Sequence, residues 1–128
     1  TDAAVVTALG SAGACLLGKT NVPTLLADGQ TFGPLYPTAN NPYDLSRTPG
    51  GSTGGGAAAV AAGLTTIEIG SDIGGSPPVP AHFCGIFGLK PTENAATHGV
   101  GHVPPLPNSR NGFMALQSIG AMARTMTQ

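Results

Sequence analysis
The sequence reads as an α/β fold, and three features carry that reading. A Gly-rich loop from Gly50 to Gly56 runs directly into Ala57–Ala62, a small-residue segment with the helix-forming alanines and the Gly63 stop signal of a short helix. Thr65–Ile69 follows with alternating, β-branched residues, as a strand requires. Two Gly-Gly-Ser sequences, Gly50-Gly51-Ser52 and Gly74-Gly75-Ser76, lie 24 residues apart on either side of that helix and strand, so a return of the chain to one sheet edge would bring two serine loops together.

The elements follow in order. Asp2 precedes Val5, Val6, Leu9 and Ala12, an acidic start and a one-sided apolar pattern that predict an N-capped amphipathic helix ended by Gly10 and Gly13. Ala14–Leu17 is a short apolar run bounded by glycines, which predicts a buried strand with Lys19 at its end. From Pro23 to Pro49 five prolines and Asn40-Asn41-Pro42 predict a long irregular connection. The helix at Ala57–Ala62 has almost no side-chain bulk and can lie close beneath a sheet or beside another backbone. Beyond the strand, a second glycine loop runs from Gly70 to Pro78, and Ala81–Leu89, with His82 inside it, is apolar and expected to be core. Ala96–Pro107 reads as a Gly/Pro-rich loop. The spacing of Phe113, Leu116, Ile119 and Met122 predicts a short amphipathic helix or turn. No repeat and no second domain are evident.

Composition narrows the function. Gly and Pro, 20 and 12 of 128 residues, make a quarter of the chain, yet 41% is hydrophobic and 9% charged, so a loop-rich folded body is expected rather than a self-repelling tail. The net charge of −1 provides no basic stripe for phosphates or anionic lipids, which argues against nucleic acid and membrane surface as partners. Apolar runs fall far short of the roughly 20 residues that span a bilayer. Cys15 and Cys84 sit in apolar settings and are expected to be buried thiols rather than a disulfide. With no CxxC and no metal-spaced His/Cys cluster, neither metal nor cofactor is expected. No signal peptide is evident, so cytoplasmic residence is the expectation, and the chain opens within what reads as a helix, as a partial domain would.

Three motifs compete for the chemistry. Gly13 to Thr20 satisfies the phosphate-binding pattern G-x-x-x-x-G-K-[ST], but a helix-like stretch precedes it and Pro23 follows, the reverse of the strand-then-helix context such a loop needs. Gly50-Gly51-Ser52-Thr53-Gly54 satisfies G-x-S-x-G, with Asp72 and His82, His98 or His102 as conceivable partners; the strand that should precede it is missing, because Arg47-Thr48-Pro49 reads as loop. The third motif is the pair of Gly-Gly-Ser loops. Backbone N–H groups turned inward at such loops suit an oxyanion, and two converging serines suit a hydroxyl relay. On spacing alone, two purely structural glycine turns remain the alternative.

The residues Gly50-Gly51-Ser52-Thr53-Gly54-Gly55, Gly63, Gly70-Ser71-Asp72-Ile73-Gly74-Gly75-Ser76, Pro80-Ala81, Cys84-Gly85 and Gly88-Leu89-Lys90-Pro91-Thr92 resemble the signature block of the amidase signature family. Gly18-Lys19-Thr20-Asn21, Asn41-Pro42-Tyr43-Asp44 and Met122-Ala123-Arg124-Thr125 agree with it too. The resemblance implies a mixed β-sheet flanked by helices and a Ser-Ser-Lys hydrolase that cleaves carboxamides through an acyl-enzyme. It implies Ser76 as nucleophile and Ser52 as bridging serine after a cis Gly51–Ser52 peptide. The N–H groups of Ile73, Gly74, Gly75 and Ser76 would form the oxyanion hole, with Asp72 bracing the loop. A small amide is the implied substrate.

The sequence also departs from the family pattern. Lys19 and Lys90 both match other family motifs, so the catalytic lysine, which the family carries on an earlier strand, is expected to be absent from these 128 residues. Pro77-Pro78 replaces the usual aliphatic residue and arginine, and a proline after Ser76 biases that serine towards extended angles. Two function classes follow: the serine half of an amidase site completed by other sequence, or a non-catalytic remnant serving as a structural or binding module. Taken as a separate chain of residues 1–128, lacking the family's N-terminal and C-terminal parts, it is expected to hydrolyse amides at trace rates and to cover apolar surface by self-association or with the missing family segments.

Overall fold
The computed structural model describes residues 2–92 and 117–127. The expected Ala96–Pro107 loop, with His98 and His102, and the positions Phe113 and Leu116 lie outside the described residues. Helices α1 (Ala4–Ser11), α2 (Gly54–Ala61) and α3 (Pro78–Phe83) accompany strands β1 (Ile67–Asp72), β2 (Phe87–Gly88) and β3 (Ser118–Ala123). The strands form one sheet in the order β1-β3-β2. Both pairings are antiparallel: Ile67 faces Ala123 and Asp72 faces Ser118 on one side of β3, and Phe87 faces Ala123 on the other.

Helix α2 starts inside the expected glycine loop: Gly54-Gly55-Gly56, poor helix formers, make its first turn, and the alanines carry it on to Ala61. The lack of side-chain bulk brings its backbone close to β1, α3 and β3. All three helices stop in the same way. Gly13, Gly63 and Gly85 each take a positive φ (89°, 76° and 63°), and the residue after each donates its N–H to a carbonyl five residues back: Ala14 to Leu9, Leu64 to Ala59, Ile86 to Ala81. This double-turn cap satisfies carbonyls that would otherwise end unpaired. Buried Ala57, Ala81, Cys84 and Met122 form one core cluster, with Ala61 and Ile86 packed against it, and Val60, Ile119 and Ala123 are buried as well. Met122 is the one long side chain among the four buried members of the cluster.

Several sequence expectations shift. Asp2 does not cap α1; the cap position is Ala3, without a side-chain bond, and α1 buries no residue. Ala14–Leu17 is neither strand nor buried: Cys15 is exposed, and Leu16 and Leu17 are 74% and 75% exposed, because no neighbouring strand pairs with this run among the described residues. The strand expected at Thr65–Ile69 begins at Ile67 and continues through Gly70 and Ser71 to Asp72, since β3 offers Gly120, Ile119 and Ser118 as partners. Ile119 and Met122 lie on strand β3, not on a helix. A central strand buried on both faces shows no alternation, and a spacing of three then mimics a helical face. Of Ala81–Leu89, Ala81 and Cys84 are buried; His82 and the aromatic rings of Phe83 and Phe87 are exposed.

Candidate active site
The Ser52 turn is clamped from behind by the irregular segment 28–31. Thr31, fully buried, donates its Oγ1 hydrogen to the Gly50 carbonyl at 2.9 Å, and the Gly50 N–H donates to Thr48 Oγ1 at 2.9 Å. Gly51 abuts the Asp28 carbonyl and Gly29 so closely that a Cβ there would overlap them. The Gly51–Ser52 peptide is cis. Ser52 and Thr53 are buried, and α2 begins immediately after them.

The second loop leaves the end of β1. Asp72, 1% exposed, accepts the Gly75 N–H on Oδ1 at 2.6 Å, which closes the turn Ile73–Gly75; Gly75 has φ +109°, a conformation that favours glycine. Pro77 is buried at the cap of α3 and Pro78 occupies its first turn, where a missing N–H costs no helical bond. Pro77-Pro78 thus starts a helix directly behind Ser76. The two loops are stitched together by Thr53 N–H donating to the Ser76 carbonyl at 3.3 Å.

The two serines meet. Ser52 Oγ donates to Ser76 Oγ at 2.8 Å, well inside the roughly 6 Å that a direct or closely water-bridged relay allows. A hydroxyl donates or accepts according to its rotor, so the reversed bond, Ser76 to Ser52, needs no heavy-atom movement. Of the four N–H groups expected around an oxyanion, that of Gly75 is taken by Asp72. That bond closes the turn, and the N–H groups of Ile73, Gly74 and Ser76 are not engaged by other described residues. Residues 45–50 leading into Ser52 form no strand, in line with the loop read at Arg47-Thr48-Pro49, so the G-x-S-x-G pattern lacks the strand that an elbow needs. Exposed His82 contacts the Phe83 ring.

Two contributors escaped sequence reasoning. Thr31 lies in a segment read as irregular connection, with no local signal of its tie to Gly50. Lys90 bonds the Asp72 carbonyl and Ser118 Oγ at 3.2 and 3.0 Å. Its signal was available: no charged residue separates Asp72 from Lys90 in the sequence. Among the described residues no group of three His, Cys, Asp or Glu side chains gathers where it could hold a metal ion, and no helix is long and apolar enough to cross a membrane.

On this α/β scaffold the paired serine hydroxyls lie beside a turn whose Ile73, Gly74 and Ser76 N–H groups are not engaged by other described residues. The Amidase family profile matches residues 1–127, and the chain belongs to that family. It is 50% identical over 127 residues to one subunit of the glutamyl-tRNA(Gln) amidotransferase of Methanospirillum hungatei, a match covering 96% of this chain and 27% of the relative. Among solved structures, 6-aminohexanoate cyclic dimer hydrolase superposes with a TM-score of 0.81 at 37% identity, over 97% of this chain and 25% of that one. A bacterial aryl acylamidase of the amidase signature family gives a TM-score of 0.76 at 29% identity, over 96% and 24%. The chain therefore spans about a quarter of the length of these relatives.

Proposed function
We propose that this chain carries the serine half of a carboxamide-hydrolysing site, with Ser76 as nucleophile and Ser52 as proton bridge. The observation that carries the reading is the 2.8 Å contact between the two hydroxyls. In acylation Ser76 Oγ bonds to the amide carbon and its proton passes through Ser52 to a base. The carbonyl oxygen gathers negative charge beside the N–H groups of Ile73, Gly74 and Ser76, and the C–N bond breaks as the leaving amine takes a proton. Water then cleaves the acyl-Ser76 ester. A serine hydroxyl needs that base, and the proposal assigns it to a lysine outside these 128 residues.

The experiment is labelling with a fluorophosphonate, which reports an activated serine, in a parent protein that includes both these residues and the base. Labelling of the parent that disappears in Ser76→Ala and falls by roughly 10²-fold or more in Ser52→Ala is the expected result. An unlabelled parent would favour the scaffold without catalysis. Without its base, the separate chain should turn over aryl amides at trace rates. The same reading places exposed apolar side chains such as Leu16, Leu25, Leu35 and Leu45 under further polypeptide or a second copy of the chain. A monodisperse monomer at high concentration in sedimentation would refute self-association.

A further inference from the structure
Lys90 has no place in the serine relay, yet its position is built with care. Beyond β2 the Leu89 N–H donates to the Ala121 carbonyl at 2.9 Å, which keeps the chain alongside β3. Gly120 makes this approach possible, because a Cβ there would overlap the Leu89 carbonyl. From here the Lys90 side chain spans the central strand. Its Nζ donates to Ser118 Oγ on β3 at 3.0 Å and to the main-chain carbonyl of Asp72 on β1 at 3.2 Å, and lies 3.9 Å from Asp72 Oδ2.

Asp72 needs such a partner. Its side chain is 1% exposed, Oδ1 holds the Gly75 N–H at 2.6 Å, and Oδ2 is buried without a hydrogen-bond donor among the described residues. A carboxylate buried to this degree is costly unless a cation and hydrogen bonds offset its lost hydration. We infer that Lys90 is a positioning residue for the Ser76 loop: it fixes the main chain and carboxylate of Asp72, and Asp72 in turn fixes the Gly75 N–H and the turn that presents Ile73, Gly74 and Ser76. Lys90 acts through Asp72 and touches no reacting atom in this scheme. The inference rests on the role proposed above for that loop.

The test compares the parent with Lys90→Met, Lys90→Arg, Asp72→Asn and the Lys90→Met/Asp72→Asn double variant. Two readouts are taken: the rate of Ser76 labelling by a fluorophosphonate, and the chemical shift and hydrogen exchange of the Gly75 amide in ¹⁵N-labelled protein. Misplacement of a catalytic loop by about 1 Å costs on the order of 10²-fold, so Lys90→Met should slow labelling about 10- to 100-fold. Lys90→Arg should restore most of the rate. Because both residues act on one turn, the double variant should be no slower than the slower single variant. In Lys90→Met the Gly75 amide should exchange at least about 10-fold faster while α2 amides keep their protection, a pattern that general destabilisation does not produce. Labelling at the parent rate with an unchanged Gly75 amide, or penalties that add fully in the double variant, would overturn the inference. Should the parent itself resist labelling, the catalytic reading fails and the Gly75 amide alone decides: a Lys90-dependent amide sustains the positioning role, and an unchanged one ends it.

Discussion

Replacing Thr31 by Val should loosen the site without disturbing its packing. Thr31 is fully buried, its Oγ1 is the donor to the Gly50 carbonyl at 2.9 Å, and its side chain fills the space where Gly54 lacks one. Valine keeps nearly the same shape, so the loss reduces to one hydrogen bond and a buried Gly50 carbonyl left without that donor. Such an orphaned acceptor costs about 1–3 kcal/mol, a large share of the roughly 5–15 kcal/mol that stabilises a typical domain. With a urea m-value of about 1–3 kcal/mol/M the unfolding midpoint should fall by about 1 M, within a range of roughly 0.3–3 M. Thr31→Ser keeps the hydroxyl and gives up a methyl group, a loss of about 0.8 kcal/mol, and should fall less. The assay is urea unfolding of the three proteins side by side. A Thr31→Val midpoint equal to the parent's, or above that of Thr31→Ser, would show that the hydroxyl is not what ties segment 28–31 to the Ser52 turn.

Met122→Ala should cost about 2–5 kcal/mol, since Met122 is the one long side chain in a core cluster whose other buried members are Ala57, Ala81 and Cys84, while Met122→Leu should stay within about 1.5 kcal/mol; calorimetry of both variants checks the pair. Burial pushes the Glu68 carboxyl above its ordinary value of 4.5, against a weaker opposing pull from the Thr20 hydroxyl bonded to it at 2.9 Å. The folded state then holds this proton more tightly than the unfolded chain, so the group's contribution is fully present below the unfolded value and is lost as pH rises through the folded one. Glu68→Gln should therefore gain on the parent as pH rises above about 4.5, and a gap that does not change with pH contradicts the assignment. Exposed Cys15 should react at once with a thiol reagent, whereas Cys84, buried with its Sγ 3.6 Å from the Pro49 carbonyl and its thiol pushed up by burial, should react after unfolding; two fast thiols in the native protein would refute the placement.

The local rules were legible from the chain alone wherever the deciding interaction lies within a few residues. Gly63 announces the end of α2 because a positive φ is cheap for glycine, and Thr65–Ile69 reads as strand because β-branched residues alternate there. The two Gly-Gly-Ser loops, Asp72 and the family resemblance marked out the candidate site residues before any distance was known. What tertiary structure alone decided depends on partners remote in sequence. β1 runs on to Asp72 because β3, about fifty positions away, supplies the ladder, and β3 is a strand because both its faces are covered. Ala14–Leu17 has strand-like composition but no described neighbour to pair with, and backbone hydrogen bonds, unlike propensity, need that neighbour. The assignment of Gly75 to Asp72, of Thr31 to Gly50 and of Lys90 to Asp72 and Ser118 follows from how the loops pack. Sequence names the groups able to donate, but the approach of one backbone to another, within tenths of an ångström, selects which donor meets which acceptor.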